Sequence, residues 1–182
     1  FLISKNRKSE ALKIFKDNND ILDPNLLLHQ TELWFEEGKT NKIKKIFNCR
    51  NPKHLIGEFF YLLANLHSSE GNYRISNFYL NLTLYLNSNF TFNNALLAEN
   101  FFHLKDYQKS MKTYLKFDTK NQAFGWYAKK RIVWIKNKIE NEESAIDFLN
   151  KSFSKLKNPE IKHYYDLANF YKDFEKYRES IK

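Results

Sequence analysis

The chain has 182 residues, a formal net charge of +9, and only four glycines and three prolines beside seventeen phenylalanines and eleven tyrosines. So few turn formers make an all-β sandwich or barrel, with a tight turn about every ten residues, hard to build, and abundant Lys, Glu and Asn around aromatic residues point to packed helices. The basic residues are scattered along every segment, so the charge alone defines no nucleic-acid surface, and the joint excess of Lys, Asn, Ile, Phe and Tyr reads as compositional drift.

In chain order, the first predicted helix runs from Ser4 to Asn19, where "SEALKIF" sets Ala11 and Phe15 on one face. The dipeptides Asp23–Pro24, Asn51–Pro52 and Asn158–Pro159 each put an N-cap acceptor before a proline, so each is expected to start a helix. Gly38 and Gly71 fall at predicted turns, where a left-handed residue ends a helix cheaply. The lysine-rich "KTNKIKK" at 39–45 reads as the wet side of a helix whose apolar side is Ile43, Ile46 and Phe47. Residues 57–90 contain Phe59, Phe60, Leu63 and Leu66, then Ile75, Phe78, Tyr79 and Leu82, with a polar "SSEGN" between: two helices and a turn.

Laying 57–90 over 91–124 without gaps aligns Leu63 with Leu97, Ala64 with Ala98, Tyr73 with Tyr107, Ser76 with Ser110 and Leu80 with Tyr114, a period of thirty-four. Ala145, Leu149 and Ser152 repeat the small, bulky, small order of Ser76, Leu80 and Thr83. Near the end, Leu167, Ala168, Tyr171, Tyr177 and Ser180 stand at the spacings of Leu63, Ala64, His67, Tyr73 and Ser76. A helix pair cannot bury its apolar stripes alone, so each pair is expected to pack on the next. The serines are then kept small by close approach to a neighbouring backbone, and the tyrosines close the turns.

This pattern resembles the tetratricopeptide repeat, best in "GEFFYLLANLHSSEGNYRISNFYLNLTLYLNSNF", with Phe60, Leu63, Ala64, Gly71, Tyr73, Ser76, Leu80 and Thr83 at the repeat's characteristic places. The resemblance covers the whole chain as a partial unit at 1–23, units at 24–56, 57–90, 91–125 and 126–160, and a truncated one at 161–182. It implies an all-α fold: a right-handed superhelix, or solenoid, of stacked antiparallel helix pairs. His67 departs from the usual Tyr, Ser88 stands where Pro is common, and the 126–160 unit carries an extra residue. "YLNLTLYLNSN" and "ESAIDFLNKSF" resemble pieces of long bacterial arrays, and ends that fall inside units suggest an internal segment of a longer protein.

No Gly-rich phosphate loop, G-x-S-x-G elbow or H-E-x-x-H motif is present. Cys49 and His54 supply too few ligands for a thiolate metal site. No catalytic residue, metal or cofactor is therefore assigned, and the chain is not read as an enzyme. The longest apolar run, "FFYLLANL" at 59–66, is too short to span a bilayer, so a soluble cytoplasmic or periplasmic segment is expected.

The resemblance implies an inner wall of first helices, with a candidate binding set of Tyr61, Asn65, Glu99, His103, Tyr127, Lys130, Trp134, Tyr165, Asn169 and Lys172. Equivalent places also hold Leu28, Glu32, Phe35, Ser68, Phe92, Phe102 and Lys138, of which Phe92 and Phe102 read as core. Aromatic plates with Asn and Lys between them suit a protein or peptide partner, so a protein-interaction scaffold is the implied function. Tyr61 and Leu96 replace the Lys and Asn of the family's carboxylate clamp. Tyr61, Ala95, Lys130 and Tyr165 form no recurring code, which argues against an RNA-reading array. The alternative is a regulatory or recruiting array of an enzyme outside this segment.

Overall fold

A computed structural model describes residues 2–5, 7–17, 25–48, 50–117 and 122–180. Among the described residues there are a short 3-10 turn at Ile3–Lys5, eleven α-helices and no strand. The helices are α1 (Lys8–Asp17), α2 (Leu26–Glu36), α3 (Thr40–Ile46), α4 (Pro52–Ser69), α5 (Tyr73–Leu86), α6 (Asn93–His103), α7 (Tyr107–Tyr114), α8 (Gln122–Ile139), α9 (Glu142–Ser154), α10 (Ile161–Asp173) and α11 (Tyr177–Ser180). None of the described helices is long and apolar enough to cross a membrane.

Local chemistry explains most boundaries. Asn51 caps α4 by accepting from Lys53 N at 3.0 Å, and Pro52 takes the first helical place, where no donor is missed. Asn25 caps α2 through Leu28 N at 3.1 Å. Asp23–Pro24 and Cys49 lie outside the described residues, as do Asn18 and Asn19, so the first expected helix is seen only as the 3-10 turn and α1. Pro159 does not start α10. Glu160 is the N-cap and its backbone N–H donates to His163 Nδ1 at 2.9 Å, so the helix begins two residues after the proline, at Ile161.

The turns repeat more faithfully than the sequence. Gly38 (φ 70°), Gly71 (φ 80°), Lys105 (φ 60°) and Glu175 (φ 57°) all take the left-handed conformation after a first helix. At each, the following residue's N–H reaches back to a carbonyl five residues earlier: Lys39 to Trp34, Asn72 to His67, Asp106 to Phe101 and Lys176 to Tyr171, at 2.7–2.9 Å. This is the Schellman closure, four times over. Two of the four left-handed places hold a residue with a Cβ, which costs energy that glycine avoids. Lys105→Gly is therefore expected to stabilise the chain by ~0.5–1 kcal/mol and Gly71→Ala to cost about 1 kcal/mol, read from urea midpoints at constant m-value. A destabilising Lys105→Gly would contradict the strain.

Inside each pair the repeated serine has a specific task. Ser76 Oγ donates to Ala64 O at 2.7 Å, and Ser110 Oγ donates to Ala98 O at 2.8 Å. All four residues are fully buried. Both bonds span twelve residues, so the small side chain is also a tie between the helices of one pair.

From α4 onward each helix packs on the next, giving the pairs α4–α5, α6–α7, α8–α9 and α10–α11. The first pair, α2–α3, departs from that order: α2 packs on α8 instead of continuing the stack against α4. The reason is aromatic. Trp34 of α2 sits 6.1 Å from Phe92, which sits 4.5 Å from Phe124 at the start of α8, and all three share one buried cluster with Tyr114, Ala128 and Ile135. One apolar face of α4 is left bare: Leu55, Phe59, Leu62 and Leu66, four, three and four residues apart, are all about half exposed or more.

Candidate functional site

Three polar links join successive first helices. Ser68 of α4 donates to Asn100 Oδ1 of α6 at 2.7 Å. Arg131 of α8 pairs with Glu99 of α6, its Nε donating to Oε2 at 2.8 Å. Asp166 of α10 accepts from Lys130 Nζ at 2.9 Å and from Trp126 Nε1 at 2.8 Å. The helices α4, α6, α8 and α10 are thus pinned to one another in order by hydrogen bonds and ion pairs.

Several expected binding residues are consumed by these pins. Glu99 also accepts from the buried Tyr114 hydroxyl at 2.8 Å and lies 3.5 Å from His103 Nε2, so Glu99 and His103 do come together. The His103 ring stacks on Tyr73 of the preceding pair, with centroids 4.8 Å apart. Lys130 is held by Asp166, and Trp134 packs on Phe170 and Phe174 at 5.3 and 5.4 Å. Tyr61 makes an edge contact with Phe90 at 5.0 Å, and Tyr127 one with Tyr114 at 6.0 Å. Burial raises the hydroxyls of both Tyr114 and Tyr127 above the ordinary tyrosine range, so both stay protonated donors.

Asn65 is exposed and donates to Tyr61 O of its own helix at 2.8 Å. Tyr165, Asn169 and Lys172, spaced four and three along α10, share one face of that helix. Tyr165 and Lys172 are exposed and Asn169 is half-buried; none bonds another described side chain. These three and Asn65 are the candidates with polar capacity to spare.

A second constellation was not foreseen from the sequence. α2 lies across the first turns of three first helices, meeting Phe92 before α6, Phe124 in α8 and Lys162 in α10. Gln30, 2% exposed, receives a long bond from Phe124 N at 3.5 Å. His29 Nε2 contacts the Lys162 ammonium, while His29 Nδ1 is buried without a hydrogen-bond partner, 3.8 Å from Glu32. Lys162 is 9% exposed, and its nearest carboxylate is that of Glu160 at 3.3 Å. His163, also buried, completes the group.

Burial, then the Lys162 charge, holds His29 below its ordinary value of 6.5, and burial lowers His163 as well, with Lys162 adding to it and Glu160 and Asp166 opposing. Both are bound as neutral imidazoles. Because the seated values lie below the free ones, the seat is at full strength above about pH 6.5 and loses strength as pH falls through 6.5 toward the depressed values. Glu32, raised by burial and by Glu36, acts in the opposite sense: its contribution is fully present below its ordinary value of 4.5 and is lost as pH rises through the raised one. Between pH 7.5 and 5.5, amide exchange of residues 26–36, corrected for intrinsic rates, is expected to quicken several-fold relative to α5. Parallel behaviour of the two helices would remove the imidazoles from the seat's energetics.

Among the described residues no group of three or more His, Cys, Asp or Glu is placed to hold a metal ion. No protein-family model matches the chain, and a search of curated proteins finds no match either.

Proposed function

We propose that the chain is part of a tetratricopeptide-like array, a right-handed superhelix of stacked helix pairs, and that it works as a non-enzymatic scaffold holding helical or peptide segments of partner proteins along its first helices. The observation that carries this reading is α2 itself: the first-helix side of α6, α8 and α10 already accommodates an amphipathic helix, anchored by Trp34 and Gln30. The recurrent Schellman turns and the Ser76–Ala64 and Ser110–Ala98 ties support the array. Tyr165, Asn169 and Lys172 supply an aromatic plate and polar groups on the same row.

The test uses residues whose replacement leaves the pins intact. Lys130 and Glu99 are unsuitable, because both hold neighbouring helices. A photo-crosslinking phenylalanine derivative in place of Tyr165 is expected to trap polypeptide in cells well above the yield from Lys151, which is exposed on the second-helix side in α9. Equal yields from both places, or adducts with RNA at Tyr165, would count against the scaffold.

A further inference from the structure

We infer that α2 is an internal stand-in for a partner helix, and that the true occupant of its seat carries a carboxylate where α2 carries His29, five residues ahead of an aromatic in the place of Trp34. This rests on the reading of the first-helix side as a helix-binding surface and adds the chemistry of the ligand.

The seat has two parts of different quality. Its apolar part is well matched: Trp34 is 6% exposed and packs on Phe92, in one cluster with Phe124 and Ala128. Its polar part is poorly matched. The Lys162 ammonium is buried against the His29 imidazole and beside a second buried imidazole, His163; the carboxylate at ion-pair distance is that of Glu160, 3.3 Å away and itself partly exposed. His29 Nδ1 meanwhile gets no hydrogen bond. A buried cation is satisfied by an ionised acceptor far better than by a neutral one, and charge-assisted bonds are roughly twice as strong as neutral ones. A helix with Glu in the His29 place would satisfy Lys162 directly and remove the orphan nitrogen. α2 therefore closes the seat with its aromatic anchor but meets the Lys162 charge with an imidazole, leaving Glu160, partly exposed and 3.3 Å away, as its ion-pair partner, so an acidic partner helix displaces it.

The probes are fluorescein-labelled peptides of residues 25–39, native and with His29→Glu, titrated into the full chain at pH 7.5 while exchange of α2 amides is followed. The His29→Glu peptide is expected to bind about ten-fold more tightly than the native one and to expose α2, and the preference is expected to vanish in Lys162→Met protein, where the cation is replaced by an apolar chain of similar length. Equal affinity of the two peptides for the wild-type chain, or a ten-fold preference that survives Lys162→Met, overturns the inference and leaves the helix-binding reading standing. Absence of binding by either peptide, with α2 still protected, overturns both.

Discussion

Asn100→Ala is expected to lower the unfolding free energy by about 2–4 kcal/mol, a large share of the stability of a domain this size. Asn100 is completely buried and uses every polar atom of its side chain: Nδ2 donates to Ser76 Oγ at 2.7 Å and to Asn77 Oδ1 at 2.9 Å, and Oδ1 accepts from Ser68. Ser76 in turn donates to Ala64 O, so one amide joins α4, α5 and α6. Truncation strands the Asn77 carbonyl oxygen, leaves the Ser68 hydroxyl without its acceptor, and opens a void. Asn100→Asp should be no milder, since a carboxylate has no donors and would face Asn77 Oδ1. A urea titration followed by far-ultraviolet dichroism measures both. A loss under about 1 kcal/mol would mean that water or repacking restores the bonds.

Glu99→Ala comes next, at about 2–3 kcal/mol, because it strands the Arg131 guanidinium and the buried Tyr114 hydroxyl together. Both charged side chains keep some contact with water, Glu99 at 19% and Arg131 at 33% exposure, so the cost falls below that of breaking a fully buried pair. Glu99→Gln keeps the shape and loses the charge, and should fall between wild type and alanine. In a double-mutant cycle Arg131→Met should cost less in the Glu99→Ala background than alone, the difference being the coupling across α6 and α8. Additive losses would show that the two side chains act independently.

Much of the fold was legible because helical spacing reports which residues share an apolar face, and because Asn51–Pro52, Gly38 and Gly71 have local conformational reasons to stand where they do. Lys105 and Glu175 were not legible as turn residues: nothing in a lysine or glutamate announces a left-handed backbone, and the surrounding closure imposes it. The abundance of asparagine read as drift. Yet Asn77, Asn87, Asn93 and Asn100 are buried, and Asn87 and Asn93 donate to Ile46 O and Leu80 O at 2.7 and 2.8 Å. Their bonds cross between helices, so no local pattern marks them.

The candidate site divides along the same line. Spacing placed Glu99, Lys130 and Trp134 on first helices but carried no information about the partners waiting on the next helix, Arg131, Asp166 and Phe170. The seat of α2 was invisible for a related reason. Periodicity shows that α2 and α4 each have an apolar side. It does not show that Trp34 would find Phe92 and leave the stripe from Leu55 to Leu66 uncovered.

The contact of α2 with α8 makes the chain a gauge of its own length. Two helix pairs, α4–α5 and α6–α7, lie between α3 and α8, and that number brings Gln30 of α2 opposite Phe124 of α8. Duplicating residues 57–90 would leave every turn chemically sound, yet carry α8 and α10 one step out of reach of α2. Gain or loss of a whole helix pair would unlatch the molecule.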